Sequence, residues 1–230
     1  MRLDKYICKS TELTRSEAKR SLKYGSIKVN GAVVKNAAFQ VKEQDNVLLN
    51  DRELTPIGLR YIMMHKPADT ICSNVDEALP SLLNLIEVEK WTELHIAGRL
   101  DADTTGLVLI TDDGQWSHNV ISPNKSCQKT YHVWLAEPIV ENVKEQFEQG
   151  VQLNNEKELT RPAKLEILSE KEAMLSITEG KYHQVKRMFA AVGNKVVRLH
   201  REKIGNITLD EELEPGQWRY LTNDEVDQFH

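Results

Sequence analysis

The stretch GRLDADTTGLVLITDDG, residues 98–114, sets a polar loop against a strand. Gly98 to Gly106 crowds charge, hydroxyls and glycine together, whereas Leu107 to Thr111 is a short β-favouring run and Asp112-Asp113-Gly114 reads as the turn that closes it. An apolar lead, Leu94 and Ile96, precedes the loop. Outward from here, Tyr61 to Met64, Thr130 to Leu135, Ala163 to Leu168, Ala173 to Thr178 and Val196 to His200 also read as strands. In the same part of the chain helical periodicity appears at Ile139 to Gln149, with Val140, Val143 and Phe147 on one face, and at Tyr182 to Val192, with Val185, Met188, Phe189 and Val192 on one face. Thr222-Asn-Asp-Glu225 is a capping box that opens a last helix. Strands outnumber helices without regular alternation, which predicts an α+β fold with a largely antiparallel sheet and flanking helices.

The chain has 230 residues, 40% of them hydrophobic, enough to bury a core in one medium domain with a small one attached. No apolar run is long enough to span a bilayer, and Met1-Arg-Leu-Asp-Lys-Tyr6 lacks the layout of a secretory signal. A cytoplasmic protein with no membrane partner is expected. Three scattered cysteines, Cys8, Cys72 and Cys127, form neither a metal-ligand pair nor an even disulfide set, as suits a reducing compartment. The net charge of −5 conceals a polarity: residues 1–42 hold ten Lys or Arg against three acids, a balance of +7, leaving −12 on the other 188 residues. A basic module that engages an anion, joined to an acidic domain with another task, fits this distribution; so does a solvated charged face.

The basic segment has its own pattern. Leu3 to Ser10 reads as a short helix, and Thr14-Arg-Ser-Glu17 caps a second that carries Arg15, Lys19, Arg20 and Lys23 and stops at Gly25. Ile27 and Val29 then alternate with polar neighbours, and Asn30-Gly31 is a tight-hairpin dipeptide. RLDKYI at 2–7, followed by TRSEAKRSLKYGSIKVNGAVV at 14–34, resembles the S4 RNA-binding module. The resemblance implies that the basic helix lies along RNA backbone, making Arg15, Lys19, Arg20 and Lys23 candidate RNA contacts. Their other reading is ordinary helix surface. After an acidic-polar stretch, Lys42 to Glu53, Leu54-Thr-Pro-Ile-Gly58 reads as a linker, so domains are expected at residues 1–58 and 59–230.

The loop from Gly98 to Gly106 admits three chemical readings: a pair of carboxylates for acid-base work, a magnesium site, or a single nucleophilic Asp101 with structural neighbours. As a magnesium site, Asp101-x-Asp103-x-Thr105 has the shape of haloacid-dehalogenase-like phosphatases, in which the motif ends a hydrophobic strand; here Gly98 and Arg99 interrupt. The whole of GRLDADTTGLVLITDDG more fully resembles the central motif of pseudouridine synthases. His65-Lys66-Pro67, Lys129-Thr130-Tyr131, GKYHQVKRM at 180–188 and Val197-Arg198-Leu199-His200-Arg201 follow the same family in order. Asp112 to His118, DDGQWSH, further resembles the branch that modifies one uridine of small-subunit rRNA.

This resemblance implies a two-domain isomerase, an S4-like clamp and a larger catalytic domain, acting as a monomer on 16S rRNA, bare or in a partly assembled small subunit. It implies no redox cofactor, nucleotide or metal. Asp101 takes the role of catalytic carboxylate, and Tyr131 places an aromatic ring against the uracil. A carboxylate held against a base loses hydration, so a compensating cation is expected, and Lys186 occupies that position in the family's late motif. Arg99 either helps to hold the flipped-out nucleotide or stiffens the loop through a salt bridge. Asp103, Thr104 and Thr105 read as turn-fixing residues bonded to loop amides, with Gly106 permitting the backbone path. His65, His118, His132, His183 and His200 lack ligand spacing and read as structural. The reading from another class is a ribosome-assembly factor that keeps the domain pair without chemistry.

Overall fold

A computed structural model describes residues 1–230. The chain forms two compact units, Met1–Leu59 and Arg60–His230. In the first, α1 (Leu3–Ser10) and α2 (Arg15–Tyr24) lead into β1 (Ile27–Val29), β2 (Ala32–Val33), β3 (Val47–Leu49) and β4 (Arg52–Glu53). The capping box forms as the sequence predicts: the Thr14 side chain accepts from the Glu17 amide, and Glu17 reaches back to the Thr14 amide. Gly25 ends the helix in the left-handed region, at φ 77°. These local devices aim the apolar stripe of each helix, Leu3 and Ile7 on α1, Ala18 and Leu22 on α2, at Ile27, Val29 and Val47 of the sheet. The sheet is antiparallel in the order β2-β1-β3-β4. Its second hairpin, β3 with β4, falls within the acidic-polar stretch Lys42 to Glu53, for which no strand was expected. Asn50 and Asp51 make that turn, both at positive φ, and Val47 supplies the buried side chain.

The second unit holds a nine-stranded sheet. Its strands are β5 (Tyr61–Lys66), β6 (His95–Ala97), β7 (Thr105–Thr111), β8 (Lys129–Leu135), β9 (Lys164–Ser169), β10 (Glu172–Ile177), β11 (Val196–Ile204), β12 (Ile207–Thr208) and β13 (Trp218–Tyr220). They run in the order β13-β5-β7-β11-β8-β10-β9, with β6 beside β7 and β12 beside β11. Every pairing is antiparallel except β7 with β11, giving the mixed, largely antiparallel sheet expected of the α+β class.

The helices are α3 (Gly114–Ile121), α4 (Val143–Gln149), α5 (Gln184–Ala191) and α6 (Asn223–Asp227). Central strands β5 and β7 are buried on both faces, which is why their sequences are continuously apolar rather than alternating. Ile62, Met64, Val108 and Ile110 share one core with Phe147 of α4 and with Val185, Met188 and Phe189 of α5. Met63, Leu107 and Leu109 share the other with Trp116 and Val120 of α3 and with Phe229.

Three local expectations are corrected. Asp112-Asp113-Gly114 is a helix start: Asp113 caps α3, accepting from the amides of Gln115 and Trp116, while Asp112 pairs with Arg60 at 2.9 Å in a buried setting. The helix expected from Ile139 begins at Val143, and Val140 is exposed rather than on the buried face. The helix expected from Tyr182 begins at Gln184, because His183 takes a left-handed backbone (φ 48°) that helical geometry cannot include.

Candidate active site

The candidate site grows from a conflict in the sheet. The same edge of β7 is paired with β6 at Leu109–Thr111 and with β11 at Thr105–Gly106. The chain between β6 and β7, residues 98–104, therefore cannot continue along that edge and must leave the sheet. Arg201, 1% exposed on β11, fills the fork: its Nε donates to the Leu107 carbonyl at 2.8 Å and its Nη2 to the Gly98 carbonyl at 2.9 Å. Close approach there requires Gly106, at φ 108°, because a Cβ at this position would lie 2.3 Å from the Arg201 carbonyl oxygen.

Lys66 anchors the other limb of the loop. Fully buried at the end of β5, its ammonium donates to the carbonyls of Pro67, Ala102 and Thr104 at 2.9–3.1 Å. Burial pulls its pKa below the ordinary lysine value, partly opposed by Cys72, Asp103, Asp101 and Asp69. Sequence reading passes over both anchors as catalytic-domain residues of no stated role. A buried cation is expensive unless its donors are satisfied, and here the satisfying acceptors are the backbone of the loop that presents Asp101.

Asp101 stands on this loop facing α5. Its Oδ2 lies 3.0 Å from Lys186 Nζ and its Oδ1 lies 3.3 Å from His183 Nε2. The expected partnership of Asp101 with Lys186 is present. His183 was read as structural and is instead at the site. The signal available in the sequence was its place within GKYHQVKRM, the same motif that carries Lys186. Asp101 is 27% exposed, open to the space in front of it.

Asp103 has a partner outside the loop that was not expected: its Oδ1 accepts from Lys186 Nζ at 2.7 Å. That bond holds the Asp103 carboxyl below the usual carboxylate range. Burial draws the Lys186 ammonium downward, but its bonds to Asp103 and Asp101 outweigh burial and hold its pKa above the ordinary lysine value. Thr105 bonds His200 Nδ1 at 2.7 Å, and the buried Thr104 hydroxyl has no partner, so neither threonine fixes the turn through its side chain.

Around Asp101 lies a cavity of about 780 Å³ whose walls include Cys72, Arg99, Tyr131, Lys186 and Arg201. Tyr131 projects into it from β8, 8% exposed. Arg99 is exposed and forms no ion pair, so the loop-stiffening salt bridge is absent. The haloacid-dehalogenase reading fails on topology: the motif precedes β7 instead of ending a strand, and no doubly wound parallel sheet exists. In the first unit, Arg15, Lys19, Arg20 and Lys23 are all exposed on α2, with Arg15, Lys19 and Lys23 four residues apart along one stripe. Arg15, Lys19, Arg20 and Lys23 make no ion pair that would occupy them.

A mixed sheet with one aspartate presented to a cationic cavity, and a separate basic helix module, define an enzyme that works on RNA. The family model described as RNA pseudouridylate synthase matches residues 60–191, the S4 domain model matches residues 1–47, and the chain belongs to the RNA pseudouridylate synthase family. Among its relatives, ribosomal small subunit pseudouridine synthase A of Vibrio cholerae is 57% identical over 226 residues, covering 98% of each chain. The protein of the same name from Escherichia coli is 49% identical over 227 residues, again covering 98% of each. A solved structure described as a pseudouridylate synthase superposes with a TM-score of 0.73 at 48% identity, covering 100% of both chains. The chain is thus an RNA isomerase, which removes the assembly-factor reading.

Proposed function

We propose that this enzyme converts one specific uridine of small-subunit (16S) rRNA to pseudouridine in the cytoplasm, as a monomer, through Asp101 and without a cofactor. The observation that carries the reading is the two-sided hold on Asp101, by Lys186 on one oxygen and His183 on the other, at the wall of a cavity of about 780 Å³, roomy enough to admit a nucleotide. In this isomerisation the N1–C1′ bond breaks, the C5–C1′ bond forms, the C5 proton leaves and N1 gains a proton. Nothing is oxidised or reduced, so the balance requires no redox partner. A carboxylate fixed in orientation supplies what the reaction needs at C1′ or at the ring, with the detached uracil retained by the cavity wall.

Uridine within folded RNA is stacked, so it is extruded to reach Asp101. Arg99, exposed and without a carboxylate partner, is placed to take a phosphate or to fill the space left behind, and Tyr131 lies against the extruded base. The α2 cations hold backbone phosphates elsewhere on the RNA, raising the local concentration of the target. Bare rRNA and a partly assembled subunit both offer that contact.

Two outcomes follow from these assignments. Removing the ammonium in Lys186→Met should lower the single-turnover rate about 10²- to 10³-fold, the usual loss for one preorganised electrostatic group, with little change in RNA affinity. A rate within threefold of wild type would remove Lys186 from the chemistry. Replacing Arg15, Lys19, Arg20 and Lys23 together by Ala should reduce the slope of log K against log salt by up to about 3, since each phosphate contact contributes roughly 0.7–0.9. An unchanged slope in filter-binding titrations would exclude α2 as the phosphate contact.

The function itself is tested with small-subunit rRNA carrying tritium at C5 of every uridine. Loss of the C5 hydrogen predicts tritium release that plateaus at one equivalent per RNA. Release of none, or release that continues through many equivalents, contradicts a single-site isomerase.

A further inference from the structure

We propose that Tyr182 is a stacking platform for the nucleobase adjacent to the isomerised uridine in the RNA chain. Tyr182 is 74% exposed at the wall of the Asp101 cavity. Exposure of a lone aromatic is common and proves nothing; three further features give this one a use.

Its ring stacks on His183 with centroids 3.7 Å apart and planes 24° from parallel, so one face is covered and the other is open. Its backbone is tied down, since the Tyr182 carbonyl accepts from Arg187 Nη1 at 2.9 Å and the flanking turn is closed by the Gln184 amide on the Lys181 carbonyl. And the stack is joined to the reacting carboxylate, with His183 Nε2 3.3 Å from Asp101 Oδ1. A ring backed on one face and open on the other thus stands one side chain removed from the group that addresses the extruded uridine.

The RNA has a matching need. Turning one nucleotide out of a stack leaves the base beside it with an uncovered face. An immobilised tyrosine covers such a face at little entropic cost, and it does so without reading sequence, because every base has a π-face. Arg99 on the same cavity, unpaired in the free enzyme, offers the charge for the phosphate between the two nucleotides. The extruded uridine, its phosphate and its stacked neighbour would then each have a dedicated side chain: Asp101, Arg99 and Tyr182.

This inference rests on the cavity being the RNA active site, and the test separates the two. Single-turnover pseudouridine formation is followed at varied enzyme concentration for wild type, Tyr182→Ala and Tyr182→Phe, on rRNA and on RNAs with an abasic residue on either side of the target. Absence of product with wild type would overturn the functional reading itself. With wild type active, Tyr182→Ala should raise the half-saturating enzyme concentration about 5- to 30-fold, within the span that base–aromatic stacking carries, while the maximal rate holds and Tyr182→Phe behaves as wild type.

On one of the abasic RNAs the difference between wild type and Tyr182→Ala should vanish, since the two changes remove one and the same contact. Equal half-saturation for all three proteins overturns the proposal. So does a loss confined to the maximal rate, which would make Tyr182 a support for His183 and Asp101, and so does a penalty that persists on both abasic RNAs.

Discussion

Asp101→Asn should abolish pseudouridine formation, with an expected fall of about 10⁴-fold or more in single-turnover rate, while the protein melts within a few degrees of wild type and binds rRNA with unchanged salt dependence. The size of the loss follows from the reaction: no other carboxylate reaches the cavity from this loop unencumbered. Asp103, two residues on, is bonded to Lys186 and largely solvent-facing. The tolerance of the fold follows from the geometry, because Asn keeps the shape and Asp103 remains to neutralise Lys186. The loop is held by carbonyl contacts to Lys66 and Arg201, which the substitution leaves intact. A variant that retains a tenth of wild-type activity would show that Asp101 positions the substrate and that the chemistry belongs to another group.

The second large effect is on stability. Gly106→Ala should lower the melting temperature of the catalytic unit by roughly 6–12 °C, corresponding to about 3 kcal/mol at its size. Two costs combine at this position. The backbone sits at φ 108°, a region closed to side chains, and the new methyl would lie 2.3 Å from the Arg201 carbonyl oxygen and 2.6 Å from its amide nitrogen. Neither backbone atom can swing aside, so β7 and β11 must separate at their single parallel contact. Gly31→Ala is the control. It has a comparable backbone, φ 82°, but open space around the missing Cβ, and should cost only about 1 kcal/mol. Calorimetry on both variants reads the difference directly; equal melting temperatures would mean that the β7–β11 contact yields easily.

What could be seen in the sequence divides along physical lines. The α2 cap, the Asn30-Gly31 hairpin and the long apolar runs of β5 and β7 are local signals, and each forms where the residues place it. Strands β6, β12 and β13 are two or three residues long and exist because a partner lies beside them, Trp218 opposite Met64 for example. Their own residues do not announce them.

The same split runs through the site. Asp101, Tyr131 and Lys186 lie in motifs that the sequence displays, and the structure brings Asp101 and Lys186 into contact and sets Tyr131 on the same cavity. Arg201 and Lys66 act only because two strands, β6 and β11, divide one edge of β7 and a loop is displaced, a non-local fact. His183 required a left-handed backbone at a helix start, which histidine adopts seldom enough that sequence reading extended the helix through it. The polar residues after Asp101 illustrate the opposite error. Turn chemistry suggested that Asp103 and Thr105 bond only their own loop, whereas Asp103 also takes a tertiary partner in Lys186 and the Thr105 hydroxyl bonds His200.

The most direct test of the central claim is to locate the product. Small-subunit rRNA, bare and partly assembled, is incubated with wild type or with Asp101→Asn, treated with carbodiimide under conditions that leave adducts only on pseudouridine, and read by primer extension. The account predicts one new stop, at a single uridine, with wild type and none with the variant. Stops of equal strength with both proteins, or no stop on either RNA despite tight binding, would contradict it.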